Sequence, residues 1–389
     1  MTRIDAGWLK SKDTQSVLRM LIAGGHHAYA VGGCVRNTLL GAPVRDVDIA
    51  TDARPDRVTD LARSARMPVV PTGVEHGTVT VLRSGTPFEI TTFRRDIATD
   101  GRRAVVAFSN RIEEDARRRD FTMNALYADS EGRVIDPLGG IVDLRARRVR
   151  FIEDAAARIR EDYLRSLRFF RFHAHYGDPA QGFDPDALAA IAENLDGLAG
   201  LSRERVGAEM LKLLQAPDPA PSVAGMKSTG VLSAILPGAD NTALAPLVHL
   251  ERENGIEPDG IRRLAALGGE GLAGALRLSR KDARRVAWLQ GTVQKSMPAA
   301  ELGYRHGLVA ARDSILLAAS LVPRDGIAEA LDCAEFGAAQ TLPIRSADLS
   351  GIWSGPALGK ALKAAEQSWI DSGFTLSRHE LVNRATDRG

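Results

Sequence analysis

The stretch that decides the fold is residues 31–49, VGGCVRNTLLGAPVRDVDI, which brings together a Gly-Gly pair, an arginine and two aspartates. Residues 29–31 just before it predict a short strand that leads into a helix through Gly32 and Gly33. Such a turn presents backbone N–H groups and a helix N-terminus to an anion, with Arg36 within reach of the same phosphates. We therefore predict a phosphate-binding turn at this point of the chain.

The two aspartates, Asp46 and Asp48, alternate with Val47 and Ile49. This alternation predicts a strand over residues 46–50 with both carboxylates on one face. Two neighbouring carboxylates repel each other and are satisfied by divalent cations, and hard oxygen ligands of this kind suit Mg²⁺ bound to nucleotide phosphates. A Gly-Gly turn and an Asp-x-Asp pair are weak signals separately, but in this order and spacing they predict a nucleotidyltransferase.

The bulk composition is that of a soluble protein with more than one domain. The chain has 389 residues, of which 44% are hydrophobic and 26% charged, and its net charge is +2. Arginines cluster locally, as at residues 117–119, which suits a phosphate-rich polymer as partner. Cys34 and Cys333 form no C-x-x-C motif, which predicts neither disulfides nor zinc. No apolar run reaches membrane-spanning length, so we expect a cytoplasmic protein that does not bind membranes.

The periodicity of the chain changes near residue 140. Before it, short strand-like segments alternate with two helical stretches, and after it Ala, Leu, Glu and Arg recur at helical spacing to the end. We therefore predict an α+β fold, in which an N-terminal head with a small mixed β-sheet is followed by an all-helical remainder.

A predicted hairpin, residues 79–82 and 88–92, follows the aspartate pair. Its second strand carries Glu89, which is predicted either as a third carboxylate facing the metal or as an ordinary solvated residue. His76 fits a hydrogen-bonded structural residue better than a ligand, because Mg²⁺ disfavours imidazole. Residues 91–103, TTFRRDIATDGRR, are polar without periodicity and predict a mobile loop next to the site.

Residues 118–126, RRDFTMNAL, begin with two arginines and predict a helix. Asp120 or Thr122 would cap its first turn, while Phe121 and Leu126 pack inward. Arg119 would then lie beside a helix N-terminus, where it could clamp a triphosphate.

Residues 158–172, RIREDYLRSLRFFRF, predict one continuous helix on which Asp162, Arg165, Arg168 and Arg171 form a spiral stripe. An aspartate accepts from the exocyclic amino group of cytosine or adenine, and an arginine can donate to the ring nitrogen beside it. Uracil and guanine present the reverse pattern. The residues therefore predict a reader of base identity, and the alternative is a charged surface ladder.

Taken together, these motifs resemble the class II CCA-adding tRNA nucleotidyltransferases, in the polymerase-β-type superfamily that also contains bacterial poly(A) polymerases. The matching segments occur in family order over about half of the chain: VGGCVRNTLLG, RDVDIAT, HGTVTV, TTFRRDIATDGR, RRDFTMNAL, DPLGGIVDL, EDYLRSLRFFRF and LSRERVGAEMLKLL.

The resemblance implies roles for particular residues. Asp46 and Asp48 match the metal pair of the family, and Asp162 and Arg165 match its protein template for the incoming base. The other residues implied to bind the nucleotide are Gly32, Gly33, Arg36, Arg119, Arg168 and Arg171.

The resemblance also implies an architecture and an activity. The head would span residues 1–139, followed by a helical neck over 140–203, a body over 204–300 and a tail over 301–389. The activity would be template-independent addition of C, C and A to tRNA with CTP and ATP, by two-metal phosphoryl transfer with Mg²⁺. Poly(A) polymerase, a partial CC- or A-adding enzyme and an inactive RNA-binding protein are the alternatives.

Overall fold

The chain divides into two units. The computed structural model describes residues 2–70, 73, 77–100, 103–293, 295 and 297–386, with the backbone alone at 96–100 and 103–106. His76 therefore lies outside the described residues. The first unit comprises Met1–Pro237 and Ala275–Arg277, and the second comprises Gly238–Gly274 and Leu278–Gly389. The division into head, neck, body and tail remains a prediction.

The predicted mixed sheet is present in the first unit. The strands are β1 Ala28–Val31, β2 Asp48–Thr51, β3 Val69–Val70, β4 Thr78–Arg83, β5 Thr86–Thr92, β6 Arg94–Asp100, β7 Arg103–Phe108, β8 Tyr127–Ala128 and β9 Val134–Ile135. Seven of them form one sheet in the order β3-β4-β5-β2-β1-β8-β9, in which β2 and β5 are parallel. A core of Val31, Ala50, Phe93 and Tyr127 lies against this sheet.

Helices account for the rest of the first unit. They are α1 Gly7–Lys10, α2 Lys12–Ala23, α3 Gly33–Leu39, α4 Pro55–Ser64, α5 Ile112–Arg117, α6 Gly140–Arg145, α7 Ala155–Glu161, α8 Leu164–Tyr176, α9 Pro185–Glu193, α10 Arg203–Leu214, α11 Ala220–Ser228 and α12 Val231–Ile235. Several of these helices begin with a side chain that accepts a hydrogen bond from a backbone N–H of the first turn, as Asp154 does for α7 and Ser202 for α10.

The prediction of a mobile loop without regular structure over residues 91–103 is wrong. β6 and β7 pair antiparallel from Arg94 opposite Phe108 to Asp100 opposite Arg103, so the segment forms a hairpin. Backbone hydrogen bonds hold such a hairpin without an apolar face, which is why its polar sequence carried no strand periodicity. Gly101 and Arg102, between the strands, lie outside the described residues.

The predicted helix over residues 118–126 is also wrong. The chain there makes a 3₁₀ turn, Thr122–Asn124, and then enters β8. Phe121 pairs with Phe151 in an isolated antiparallel bridge, and Phe121 and Leu126 are fully buried as predicted. Because apolar side chains are buried here on every side, tertiary packing overrides the helical propensity of the segment.

A cluster of aromatic rings fixes α8 against the end of the head. The ring of Phe121 lies 4.9 Å from that of Phe172 and 5.0 Å from that of Phe151, and Phe151 stacks on Phe169 at 5.7 Å. Phe121, Phe151, Phe169 and Phe172 are all buried. Rings packed in this way hold the helix that carries the predicted base-reading arginines.

The described residues of the second unit are helical and contain no strand. From residue 244 the helices are α13 Leu244–Glu253, α14 Gly260–Leu267, α15 Leu272–Ala275, α16 Arg280–Val293, α17 Ala299–His306, α18 Leu308–Leu321, α19 Ile327–Ala338, α20 Ser346–Leu349, α21 Gly355–Asp371 and α22 Arg378–Thr386. Across the described part of the chain, each helix is too short or too polar to cross a membrane.

A buried network of ion pairs lies inside the second unit. Glu251 accepts from both Arg262 and Arg263, at 2.7 Å and 2.6 Å. Asp313 accepts from Arg262 at 2.7 Å and from Arg285 at 2.5 Å, and Arg285 also pairs with Asp259 at 2.8 Å. Three arginines thus face three carboxylates, and the network balances its own charge.

Candidate active site

The Gly-Gly turn joins β1 directly to α3. Gly32 has a φ of 71°, a conformation that favours glycine, and a side chain there would lie 3.5 Å from the carbonyl oxygen of Asn124. The N–H of Gly32 donates to the carbonyl of Leu126 at 2.9 Å, so this particular group holds the turn in place. The turn that the sequence predicts is present, with Gly33 as the first residue of the helix.

The predicted strand with both aspartates starts later than expected. β2 begins at Asp48, so Asp46 lies just before the strand. The reason is the partner strand: Asp48 pairs with Val31, and beyond Val31 the chain turns away at Gly32. The ladder with β1 therefore cannot extend β2 to Asp46.

Glu89 lies directly beside Asp48. The two are register partners on the parallel strands β2 and β5, so their side chains point to the same face of the sheet. Asp46, Asp48 and Glu89 are all exposed, and within the described ranges none of the three forms an ion pair. Partial burial, followed by the charges of Glu89 and Asp46, raises the pKa of Asp48, whereas Arg119 opposes this shift.

This arrangement of carboxylates fits a divalent cation in its donor chemistry. Oxygen ligands crowded together without a cationic partner are stabilised when a hard metal ion neutralises them. Among the described residues, no group of three or more His, Cys, Asp or Glu side chains is gathered closely enough to hold a metal ion. Metal binding by Asp46 and Asp48, and the part of Glu89 in it, therefore remain predictions.

Arg119 faces the Gly-Gly turn, but not from a helix N-terminus as the sequence suggested. It follows the end of α5, and its Nη1 lies 3.6 Å from the position that a Cβ on Gly32 would take. Asp115 accepts from its Nη2 at 2.9 Å, and the Tyr127 hydroxyl accepts from its Nε at 3.1 Å. Although burial alone would lower it, the Asp115 carboxylate raises the pKa of Arg119. The guanidinium is thereby fixed as a cation beside the turn, and its charge opposes the rise in the pKa of Asp48.

Arg36 is buried, which the sequence did not indicate. Its guanidinium donates to Asn124 and, at 2.9 Å, to the hydroxyl of Tyr176 on α8, whose ring it also covers at 4.0 Å. Burial lowers the pKa of Arg36. The side chain connects the helix after the Gly-Gly turn to α8, and its contact with a nucleotide remains a prediction.

The predicted continuous helix over residues 158–172 is wrong, because it breaks at Asp162. α7 ends at Glu161 and α8 begins at Leu164, and Asp162 between them has an extended backbone. The carboxylate of Asp162 accepts from the backbone N–H of Leu164 at 3.2 Å, a local bond that competes with the helical pattern.

Asp162 and Arg165 do not pair with each other. Asp162 accepts from Arg205 on α10 at 2.6 Å. Arg165 donates to Glu161 at 2.5 Å and to the carbonyl oxygen of Arg118 at 3.0 Å. Each half of the predicted base-reading pair is thus held by a different element, and both side chains are largely buried.

Arg168 and Arg171 are likewise held in ion pairs. Arg168 donates from Nε to Asp120 at 2.7 Å, and Arg171 donates to Glu209 on α10 at 2.5 Å. Although burial would raise it, the guanidinium of Arg168 holds the pKa of Asp120 at about 2. Their nucleotide contacts remain predictions.

The side chains that hold the predicted site residues in place were not identified from the sequence. Asp120 accepts from the Asn124 amide at 2.9 Å as well as from Arg168, so the segment after α5 is tied to α8. A signal for Asp115 was present, since it precedes Arg118 and Arg119 by three and four residues. None existed for the pairing of Arg205 with Asp162, because the two are 43 residues apart.

Comparison with known proteins agrees with this geometry. Residues 28–150 match the family described as the poly A polymerase head domain, and residues 182–242 match a probable RNA and SrmB-binding site of polymerase A. Human mitochondrial CCA tRNA nucleotidyltransferase 1 is 40% identical over 53% of this chain and 48% of its own length. The chain thus spans about half the length of that relative.

Two further relatives match almost end to end. The CCA-adding enzyme of Levilactobacillus brevis is 31% identical over 95% of this chain and 96% of its own. A crystal structure of the Bacillus stearothermophilus CCA-adding enzyme in complex with CTP superposes with a TM-score of 0.73 at 28% identity, over 97% of both chains. This likeness confirms the predicted α+β head and helical remainder.

Proposed function

Because this chain belongs to the family of CCA-adding enzymes, we propose that it adds C, C and A to the 3′ end of tRNA. The substrates are CTP and ATP, and no nucleic-acid template is used. The tRNA 3′-hydroxyl attacks the α-phosphate in line, the new P–O bond forms, and pyrophosphate leaves. The observation that carries this proposal is the unpaired set of Asp46, Asp48 and Glu89 beside the Gly32 turn.

The cation that we propose for this site is Mg²⁺, held by Asp46 and Asp48 with Glu89 as their neighbour. When bound, such an ion polarises phosphoryl oxygens and promotes loss of the attacking hydroxyl's proton. The carboxylates supply negative charge that would repel a bare triphosphate, so they are matched to a substrate that arrives with its counterions.

The chain's own cation in this region is Arg119. Its guanidinium lies against the Gly32 turn and is held there by Asp115 and Tyr127. A fixed positive charge at this position stabilises phosphate oxygens without further reorganisation. We propose that Arg119 binds the triphosphate from the side opposite to the carboxylates.

Selection of the base is proposed for the junction between α7 and α8. The Asp162 carboxylate can accept from the exocyclic amino group of cytosine or adenine, and the Arg165 guanidinium can donate to the adjacent ring nitrogen. Both side chains are oriented by bonds to other parts of the first unit, which favours a fixed hydrogen-bonding pattern over an adaptable one.

We also propose a cytoplasmic location. The two cysteines, Cys34 and Cys333, are free thiols, one buried and the other exposed. An exposed free thiol suits a reducing compartment.

The test is extension of a tRNA that ends at the discriminator base, with products resolved on a denaturing gel. CTP alone should give two additions, and CTP with ATP should give three. Repeated addition from ATP alone would indicate a poly(A) polymerase instead, and a product that stops at CC with both nucleotides would indicate a partial enzyme. Binding of tRNA without extension by any nucleotide would contradict the enzymatic proposal.

A further inference from the structure

The carboxylate of Asp162 is held at both of its oxygens. Oδ1 accepts from the N–H of Leu164 at 3.2 Å, and Oδ2 accepts from Nη2 of Arg205 at 2.6 Å. The two side chains are 24% and 29% exposed, so the pair is partly accessible to solvent. The partner of the proposed base-reading acceptor is therefore a residue of a different helix.

The helix that supplies Arg205 is itself held against α8. The Ser202 hydroxyl accepts from the backbone N–H of Arg205 at 3.4 Å and caps α10. One turn after Arg205, Glu209 accepts from Arg171 of α8 at 2.5 Å. Residues four apart lie on the same face of a helix, so one face of α10 makes both contacts. Arg205 therefore reaches Asp162 from a fixed position.

Orientation of the carboxylate matters because neighbouring atoms of the pyrimidine edge differ. Cytosine donates from its exocyclic amino group, whereas uracil donates from the ring nitrogen beside that position. An acceptor free to rotate can meet either donor, but an acceptor fixed in one direction can meet only one of them. Asp162 has an extended backbone between two helices, so the helix itself does not fix its side chain.

We propose that Arg205 is a specificity-determining positioning residue, which directs the Asp162 carboxylate toward the exocyclic amino group and away from the ring N–H. This inference rests on the proposed function. The competing explanation is a plain stabilising ion pair. An ion pair of that kind stabilises the fold modestly and leaves nucleotide choice unchanged.

The experiment compares kcat/KM for CTP and UTP in the full-length chain and its variants, with tRNA ending at the discriminator base. Arg205→Met keeps an unbranched, apolar side chain and removes its charge and donors. We expect the CTP:UTP ratio to fall by about tenfold, as for loss of a hydrogen bond to a charged group. Arg205→Lys should recover most of the ratio, because the ammonium restores a donor to Asp162.

Lys212→Met is the matched control. Lys212 is exposed two turns further along α10, so the change removes the same charge from the same helix away from Asp162. Its CTP:UTP ratio should equal that of the wild type, and a fall equal to that of Arg205→Met would overturn the inference. Melting temperatures of all variants establish that they are folded.

A double-mutant cycle decides whether Arg205 acts through Asp162. In an Asp162→Ala background, Arg205→Met should change the CTP:UTP ratio no further, because the group that it orients is gone. An unchanged ratio in the single variant, or the same fall in both backgrounds, would overturn the inference. Failure of the wild-type chain to add C from CTP would instead count against the proposed function.

Discussion

The acidic cluster of the first unit and the ion-pair network of the second place charge in opposite ways. Asp48 and Glu89 are register partners, Asp46 lies two residues before Asp48, and within the described residues all three are exposed and form no ion pair. In the second unit, Glu251 and Asp313 are buried and receive several arginine donors each. Charge that is balanced inside the chain stabilises one packing arrangement, whereas exposed and unbalanced charge is available to a ligand from solution.

The arginines of the base-reading region combine features of both. Arg165, Arg168 and Arg171 are paired within the folded chain, as the network of the second unit is, yet they lie on the helix implied to contact the nucleotide. Internal pairing fixes their orientation before substrate arrives. A nucleotide then meets oriented donors and does not have to order long side chains itself.

The largest effect that this comparison predicts is the loss of activity on neutralising the acidic cluster. Asp48→Ala or Asp46→Ala should lower CMP incorporation by roughly 1,000-fold or more, since a bound metal contributes several kcal/mol to the transition state. Affinity for tRNA, measured by filter binding, should stay nearly unchanged because phosphate contacts elsewhere dominate it. Asp60→Ala, at an exposed position on α4, is the control. Turnover of either variant close to that of the wild type with Mg²⁺ would remove the pair from the metal site.

Removal of a carboxylate from the buried network should affect stability instead of chemistry. Glu251→Ala leaves Arg262 and Arg263 without their shared partner, so the free energy of unfolding should fall by about 3 kcal/mol or more. Glu335→Ala breaks the exposed pair with Arg312 and should cost about 1 kcal/mol at most. Urea unfolding measures both. Equal losses would mean that burial does not distinguish the two pairs.

Two carboxyls of the first unit, those of Asp115 and Asp48, should make the free energy of unfolding depend on pH with opposite signs. Although burial would raise it, Arg119 and Arg118 hold the pKa of Asp115 at about 2. Its contribution, roughly 2 kcal/mol, is therefore present above the ordinary carboxyl pKa and is lost as the pH falls from about 4 to 2. Asp115→Asn should lose this contribution at neutral pH and approach the wild type in acid.

Asp48 provides the contrasting case. Its pKa is raised, so ionisation is less favourable in the folded chain than in the unfolded one. The free energy of unfolding therefore falls as the pH rises from the ordinary carboxyl pKa through the raised one. Asp48→Asn should therefore be more stable than the wild type at neutral pH, and the gain should vanish below the ordinary carboxyl range. Urea unfolding from pH 2 to 8 tests both carboxyls, and a loss of stability in Asp48→Asn at pH 7 would contradict the sign.

The smallest expected effect concerns the β6–β7 hairpin. Shortening residues 94–103 should spare the first two additions and slow the third by about tenfold, because a segment that reshapes the pocket matters when the base changes size. Gel analysis with CTP and ATP should then show product ending in CC. Equal slowing of all three additions would make the hairpin part of the general catalytic machinery.

Local sequence was sufficient for the parts of the site that neighbouring residues build. The turn at Gly32 requires a residue that tolerates positive φ, and the alternation of residues 46–49 indicated a strand that the structure begins at Asp48. The hairpin of β4 and β5 was likewise visible in its turn residues, Ser84 and Gly85, and it correctly placed Glu89 beside the aspartate strand. These features depend on the backbone preferences of single residues and on the spacing of apolar residues, and both can be determined from one sequence.

Tertiary structure alone decided how the charged side chains are held. Periodicity predicted one continuous helix through Asp162, but the helix breaks there and Asp162 binds Arg205 of α10. The same holds for Arg36, which appeared free to meet phosphate and is buried against Tyr176. Charged groups take the partners that packing brings within hydrogen-bond distance, and a partner dozens or more than a hundred residues away leaves no trace in local spacing.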